Sequence, residues 1–349
     1  MKNTRVLKPY VPGEQPMEED MVKLNTNENP YPPSKKVGEV IQAMNPDSLR
    51  LYPDPDCTKL VEALATYHKL DTNQVFVGVG SDDVLATAFL TFFNGKIPIL
   101  FPDVTYSFYN VWADLYQIPY ECPPIDENFR LRIKDYKKEN GGIVIANPNA
   151  PTSIYEELSV IEEILQHNRE VVVIVDEAYI DYAGESACSL IKKYDNLLVV
   201  RTFSKSRSMA GMRIGYCMGC KELIEAMYMV RNSYNSYTMN TLTLLAGVAS
   251  LEDEEYFRKM NKRVITTREW TKKALRELGF LFPDSKTNFL FVTHKEYDCM
   301  ALFQHLKEKH IYVRHFNGER IKEFLRISIG TMEEMERLIK EIKVFMAKQ

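Results

Sequence analysis

Short apolar runs alternate with segments of helical periodicity along the middle of the chain. Five of these runs are apolar at nearly every position instead of every second one: 75–79, 97–101, 143–146, 171–175 and 197–200. Strands that are apolar on both faces are typical of a sheet covered by helices on both sides, and such sheets are mostly parallel. Helical patterns follow three of the runs, over 81–93, 106–118 and 158–168. The pattern therefore predicts an α/β domain built on a mainly parallel sheet.

The last third of the chain predicts a smaller α+β unit. A long helical stretch from 241 to about 278 precedes a strand–helix–strand–strand–helix pattern over 288–292, 299–310, 311–316, 324–329 and 332–346. The proline- and asparagine-rich segment 24–33 cannot be regular helix, because proline lacks the amide donor and fixes φ. We expect residues 1–44 to join the small domain, 45–240 to form the large one, and 241–349 to complete the small one.

Composition and charge narrow the class of protein. The 349 residues suffice for roughly two domains. With 44 Lys and Arg against 48 Asp and Glu, the net charge is −4, which argues against nucleic acid or an anionic membrane as partner. No apolar run approaches the ~18 residues of a membrane span, and the N-terminus lacks a secretory pattern, so we expect a cytoplasmic protein.

The six cysteines predict neither a disulfide framework nor a metal site. Cys217 and Cys220 form a C-x-x-C, but there is no second such pair, and no paired histidines complete a zinc motif with it. A redox role would need a thioredoxin-like context, which is also missing. We expect ordinary thiols and no metal.

Polar residues follow the predicted strands where an α/β sheet binds ligands, beyond the carboxyl ends. Lys205 comes just after a buried strand, and partial desolvation there would favour the neutral, nucleophilic amine. Asp176 ends another apolar run, where a carboxylate needs a cationic partner such as a protonated pyridine nitrogen. Tyr179, three residues on, can reach the adjacent ring oxygen. Taken singly, Lys205 could be a surface lysine and Asp176 a helix cap.

A phosphate-binding cup is predicted beside them. Gly80, Ser81 and Asp82 stand between a strand and a helix, so backbone N–H groups can hold an anion. Hydroxyls of Thr202 and Ser204 and the guanidinium of Arg213 add donors. The chain has neither a P-loop nor a complete G-x-G-x-x-G.

These motifs together resemble those of the class II, fold-type I aminotransferases that use pyridoxal 5'-phosphate (PLP), in particular histidinol-phosphate aminotransferases. The resemblance runs the full length and rests on LKPYVPG at 7–13, LNTNENPY at 24–31, RLYPD at 50–54, DEAY at 176–179, and TFSK at 202–205 with Arg213. It implies the PLP-dependent transferase fold, with a mixed, mainly parallel sheet in the large domain. It also implies a homodimer that serves histidine biosynthesis.

The resemblance implies a role for each site residue. Lys205 would bond the cofactor covalently and serve as base, Asp176 would pair with the pyridine nitrogen, and Tyr179 would contact the phenolic oxygen. The other cofactor contacts would be Gly80, Ser81, Asp82, Tyr106 stacked on the ring, Asn149, Thr202, Ser204, Arg213, and Tyr52 reaching the neighbouring subunit's cofactor. Tyr10, Asn27, Arg314 and Arg326 would contact the substrate, histidinol phosphate, with 2-oxoglutarate as the amino acceptor.

One segment departs from the family pattern. Ala150 stands where an asparagine usually touches the phenolic oxygen, and Ser153 stands where glycine is usual. Asn149 or Asn147 could take over the contact, or it could be lost.

Three alternative functions are compatible with the same scaffold: a threonine-phosphate decarboxylase, an aromatic-amino-acid aminotransferase, and a catalytically inactive binding module. The presence of both Lys205 and Asp176 argues against the last.

Overall fold

The computed structural model describes residues 4–348. Its strands are β1 (Val22–Lys23), β2 (Val75–Val79), β3 (Ile99–Leu100), β4 (Tyr120–Glu121), β5 (Ile143–Ala146), β6 (Val173–Asp176), β7 (Leu197–Thr202), β8 (Ile214–Met218), β9 (Phe289–Val292), β10 (Ile311–Tyr312), β11 (Arg314–His315) and β12 (Leu325–Ser328). Its α-helices are α1 (Lys35–Gln42), α2 (Thr58–His68), α3 (Gly80–Phe92), α4 (Phe108–Tyr116), α5 (Leu158–His167), α6 (Lys221–Tyr234), α7 (Thr241–Leu251), α8 (Glu254–Glu277), α9 (Cys299–Glu308) and α10 (Met332–Met346).

The predicted α/β fold with a mainly parallel sheet is confirmed. Seven strands form the central sheet in the order β2-β8-β7-β6-β5-β3-β4. The five strands from β7 to β4 are parallel, whereas β8 runs antiparallel to both of its neighbours. The short run Ile214–Met218 was not among the predicted strands. Its Gly215 allows close packing against the start of α3, since a Cβ there would lie 2.1 Å from the carbonyl carbon of Gly80.

The all-apolar strands are explained by two hydrophobic cores, one on each face of the sheet. Val173 and Val175 of β6 pack into the core that contains α2, α5 and α7. Ile174, between them, points to the other core, formed with α3, α4 and α6. Because successive side chains of a strand point to opposite faces, positions 173 to 175 of β6 are all apolar, and only Asp176 at its end is charged.

A second, smaller unit forms around a third core. Strands β11, β12 and β9 make an antiparallel sheet, and β1 pairs in parallel with β10. Helices α8, α9 and α10 supply the rest of that core. The predicted strand–helix–strand–strand–helix order is confirmed, with the segment 311–316 divided between β10 and β11.

The domain limits remain a prediction. The packing of side chains is informative for the N-terminal segment 1–44 and for the segment that begins at residue 241. Val22 and Leu24 lie in the small-unit core, as expected for the N-terminal segment. Val37 of α1 and Leu244 of α7 lie in the large core instead. The predicted long helical stretch is two helices, because Asp253 accepts a hydrogen bond from the Tyr256 amide at 3.3 Å and caps α8. None of the helices within residues 4–348 is long and apolar enough to cross a membrane.

Candidate active site

One cleft brings most of the predicted residues together beyond the carboxyl ends of β6 and β7, where the two units meet. Its walls include the predicted site residues Tyr10, Asn27, Ser81, Asp82, Tyr106, Asp176, Tyr179, Thr202, Ser204, Lys205, Arg213, Arg314 and Arg326. These residues come from opposite ends of the chain. The fold thus assembles the cleft from both units.

Asp176 lies at the floor of the cleft, at the end of β6. Its residue surface is 5% exposed, and it forms no ion pair with any residue between 4 and 348. Oδ2 accepts a hydrogen bond from the Tyr109 hydroxyl at 2.9 Å, and Oδ1 accepts one from the Ala178 amide at 3.2 Å. Burial raises the pKa of Asp176 to about 6, although both hydrogen bonds act to lower this pKa. The carboxylate is therefore suited to a cationic partner bound in the cleft.

Lys205 faces Asp176 from the loop after β7. Its Nζ donates to the Thr26 carbonyl oxygen at 3.0 Å and lies 5.8 Å from the centre of the Tyr179 ring. The Tyr179 hydroxyl accepts a hydrogen bond from Asn27 Nδ2 at 3.0 Å. Since a hydroxyl has one proton to give, that of Tyr179 remains available to an acceptor in the cleft.

The predicted anion cup has the required geometry. Gly80 has φ +83°, and a Cβ there would lie 2.5 Å from Arg213 Nη2. The first N–H groups of α3 have no partner within the helix and so can donate to an anion. Thr202 and Ser204 are joined by a 3.0 Å hydrogen bond between their hydroxyls at the same end of the sheet. The space beside Gly80 is filled by the guanidinium, which explains why this position has no side chain.

Tyr106 forms part of the wall above this cup. Its hydroxyl donates to Asp82 Oδ1 at 2.9 Å, while Asp82 Oδ2 lies 3.3 Å from Arg213 Nη2. Its ring meets that of Tyr109 edge-on at 5.7 Å. The aromatic wall and the anion cup are therefore connected through Asp82.

Two arginines face each other on the small-unit side of the cleft. Arg314 of β11 and Arg326 of β12 are direct cross-strand partners. Arg326 Nη2 donates to the Asn25 carbonyl at 2.8 Å, but its enclosed Nε has no acceptor in the described part of the chain. Burial lowers the pKa of Arg326. Like charges directly opposite on a sheet repel, so this pair favours an anion between them.

The N-terminal segment passes over the same wall. Arg314 Nη2 donates to the carbonyl oxygen of Val11 at 3.1 Å. Tyr10 stacks on Phe108 of α4 with ring centres 4.2 Å apart. Tyr10 therefore lies between the aromatic wall of the large unit and the paired arginines of the small one.

Three predicted cofactor residues are not among those that line the cleft: Gly80, which lies beside Arg213 as described above, Tyr52 and Asn149. Tyr52 is 82% exposed and packs against Tyr237 with ring centres 4.7 Å apart. Asn149 is turned into its own loop, where its amide bonds Thr105, Val104 and Thr152 at 2.7–3.0 Å. The predicted contacts of Tyr52 and Asn149 with a cofactor remain predictions.

The segment that departs from the family pattern is accommodated by the fold. Ala150 lines the cleft. Asn147 is occupied by Glu156, whose amide and carbonyl it binds at 2.8 and 2.9 Å. Ser153 has φ +67°, a backbone conformation that favours glycine, and is fully buried. Neither asparagine in this loop has a free amide directed at the cleft.

Several residues of the site were not found from the sequence. Tyr109, at the start of α4, contacts Asp176 and lies three positions after Tyr106, and this closeness in sequence to a predicted site residue was the available signal. Asn29 Nδ2 donates to the Lys205 carbonyl oxygen at 3.2 Å, and Thr26 binds the Lys205 amine. Thr26 and Asn29 both belong to the segment 24–31, which the sequence analysis singled out. The sequence did not show that their partner is Lys205.

The C-x-x-C lies outside the cleft. Cys217 is fully buried in β8, where burial raises the pKa of its thiol, so it is a poor nucleophile. Cys220 donates to the Asp195 carbonyl at 3.2 Å. Within residues 4–348 there is no group of three or more His, Cys, Asp or Glu side chains placed to hold a metal ion.

Comparison with known proteins shows the family. The family described as aminotransferase class I and II matches residues 19–342. A histidinol-phosphate aminotransferase of Lactococcus lactis subsp. cremoris (strain MG1363) is 53% identical over 344 residues, covering 99% of this chain and 97% of that protein. The chain belongs to the class I and II aminotransferase family. Within it, the chain is similar to histidinol-phosphate aminotransferases at half or more of all aligned positions.

Solved structures share the fold at lower identity. The histidinol-phosphate aminotransferase from Sinorhizobium meliloti in complex with pyridoxal-5'-phosphate superposes with a TM-score of 0.84 at 21% identity, over 93% of this chain and 91% of that one. The L-threonine-O-3-phosphate decarboxylase from Porphyromonas gingivalis gives 0.79 at 20%, over 94% and 100%. The fold alone is therefore common to transaminase and lyase.

Proposed function

We propose that this protein is a PLP-dependent aminotransferase that transfers the amino group of histidinol phosphate to 2-oxoglutarate. The observation that carries the proposal is the convergence of Lys205, Asp176 and the Arg314–Arg326 pair on one cleft. The 53% identity to a histidinol-phosphate aminotransferase supports the choice of substrate over that of the decarboxylase.

The residues present fit the cofactor. A phosphate fits the cup at Gly80, where a Cβ is sterically excluded and where Arg213 and the start of α3 supply donors. The buried Asp176 carboxylate, which has no cation among the described residues, fits a protonated pyridine nitrogen. When bound, PLP supplies an electron sink for the carbanion left after a proton is removed from the substrate.

The mechanism follows from what the protein side chains can hold or move. In the described structure Lys205 Nζ forms no hydrogen bond with a carboxylate. To move toward the substrate, it needs to break only its hydrogen bond to the Thr26 carbonyl oxygen. In its neutral form, this amine would have a lone pair with which to take the proton from the amine-bearing carbon of the substrate, and it would become an ammonium group. With the cofactor bound, Asp176 would keep the ring nitrogen protonated by its negative charge, and the Tyr179 hydroxyl, which Asn27 orients, would donate to the phenolic oxygen.

The arginine pair accounts for two different substrates in one site. Histidinol phosphate carries a phosphate and no carboxylate, whereas glutamate carries carboxylates, and arginine binds both groups in a bidentate manner. The Arg326 side chain lines the cleft, and its enclosed Nε has no acceptor among the described residues. Tyr10 lies beside both arginines and is placed to contact the longer substrate.

The proposal includes a homodimer in which Tyr52 contacts the cofactor phosphate of the neighbouring subunit. Leu49, Leu51 and Tyr52 are 69%, 58% and 82% exposed, and an apolar cluster of this kind favours a protein interface. Because Tyr52 does not line the cleft of its own subunit, its side chain is free to contact the cleft of a neighbouring subunit. A cytoplasmic location remains a prediction.

The test is a product analysis with purified protein and added PLP. Histidinol phosphate plus 2-oxoglutarate should give glutamate, and threonine phosphate should give no CO2. Lys205→Ala should give neither product, and borohydride reduction of the wild type should label Lys205. Release of CO2 without glutamate would establish the lyase instead, and a label on another lysine would overturn the site.

A further inference from the structure

Tyr109 is a buried polar residue that the proposed mechanism does not use. It lies in the first turn of α4, its side chain is 0% exposed, and it is surrounded by the rings of Phe89, Phe101 and Trp112. The only polar contact of its hydroxyl in the described structure is the 2.9 Å hydrogen bond to Asp176 Oδ2. A phenol in such an apolar setting costs free energy unless its hydroxyl is bonded, so this single bond accounts for a tyrosine there.

The bond fixes the direction in which Asp176 presents its charge. Oδ2 is held by Tyr109, and Oδ1 is held by the Ala178 amide at 3.2 Å. With both oxygens engaged from the protein side, the carboxylate cannot rotate, and its remaining lone pairs face the cleft. Tyr106, three residues earlier, lines the same cleft, so one short stretch of chain carries both the aromatic wall and the support of Asp176.

We propose that Tyr109 is a positioning residue: its hydroxyl orients the Asp176 carboxylate and keeps it ionised toward the ring nitrogen of the cofactor. This inference rests on the proposed function, because it assigns Asp176 to that nitrogen. It goes beyond that function in assigning a role to a residue that touches neither cofactor nor substrate.

The charges around Asp176 agree with this role. Asp82 on α3 repels the carboxylate, Lys205 after β7 attracts it, and Tyr109 on α4 donates to it. Burial raises the pKa of Asp176, and the Tyr109 bond is the largest influence that lowers it again. Removal of the hydroxyl should therefore make Asp176 easier to protonate.

The experiment measures the dissociation constant of PLP from pH 5 to 8 for the wild type, Tyr109→Phe and Tyr136→Phe. Tyr136 is the matched control, since it is also buried but its hydroxyl has no partner within residues 4–348. Protonated Asp176 cannot pair with the ring cation, so affinity falls on the acid side. In Tyr109→Phe this fall should begin about one pH unit higher, which gives about tenfold weaker binding near pH 5 and little change at pH 8.

The pattern of pH dependence separates positioning from packing. A loss of affinity that is equal at every pH, or equal in both variants, would overturn the inference. If Tyr109→Phe does not fold, 3-fluorotyrosine at position 109 keeps the ring and strengthens the donor, so the acid fall should move to lower pH. An unmoved fall would likewise refute it. Failure of the wild type to bind PLP or form glutamate would instead refute the proposed function.

Discussion

Replacing Asp176 with asparagine should stabilise the cofactor-free protein while abolishing its activity. Burial raises the pKa of Asp176 from the usual 3.8 to about 6. A carboxyl with a raised pKa contributes stability below pH 3.8, and that contribution is lost as the pH rises through about 6. The separation of the two values, at 1.36 kcal/mol for each pH unit, corresponds to about 3 kcal/mol at neutral pH.

Asparagine should remove this cost without disturbing the local contacts. Its amide oxygen can accept from the Ala178 amide, and its NH₂ group can donate to the Tyr109 hydroxyl. The variant should thus exceed the wild type in free energy of unfolding by about 3 kcal/mol at pH 8 and by about half of that at pH 5. Glu177, whose pKa burial raises to about 7, titrates in the same range but is present in both proteins and cancels.

Urea unfolding of both cofactor-free proteins, at one protein concentration and at pH 5 and 8, measures the difference. Activity is assayed on the same preparations after PLP is added back. A variant that is less stable than the wild type at pH 8, or a stability difference that does not change with pH, would refute the reasoning. Retention of activity within a few fold would show that Asp176 has only a structural role.

Three further outcomes are expected. Gly80→Ala should weaken PLP binding about tenfold in equilibrium dialysis, because its Cβ would collide with the guanidinium of Arg213, which we propose binds the phosphate; Gly38→Ala, where a Cβ meets nothing within 4 Å, should not. Mixing Tyr52→Ala with Lys205→Ala subunits should restore activity that neither has alone, and no recovery after confirmed subunit exchange would argue against shared sites. Arg314→Ala should lower kcat/KM for histidinol phosphate by about ten- to hundredfold and for glutamate by less, whereas equal losses would contradict a selective contact.

The fold class of the large unit and the candidate residues of the site could be predicted from the sequence. Positions 173 to 175 of β6 are all apolar because helices cover both faces of the sheet, and runs of this kind in the sequence predicted a covered, mainly parallel sheet. Asp176 is the last residue of β6, and Lys205 lies three residues after the end of β7. Local chain order therefore sufficed to place both side chains at one end of the sheet.

Contacts between distant segments were decided only by the tertiary structure. The Tyr109–Asp176 bond joins residues 67 positions apart, and the Asn27–Tyr179 bond joins residues 152 apart. No local pattern specifies such pairs, because they depend on how helices and loops pack over the sheet. The antiparallel β8 was likewise missed, since its five residues are interrupted by Gly215 and acquire their role only by packing against Gly80.

Pairing register supplied the remaining detail of the site. Arg314 and Arg326 could both be identified in the sequence, but only the alignment of β11 with β12 makes them direct partners. A shift of one residue would place them on opposite faces of the sheet, where they could not share one anion. The candidate groups could thus be read from the sequence, whereas only the folded structure shows which of them share one cleft, because their spacing depends on strand register and on packing between the two units.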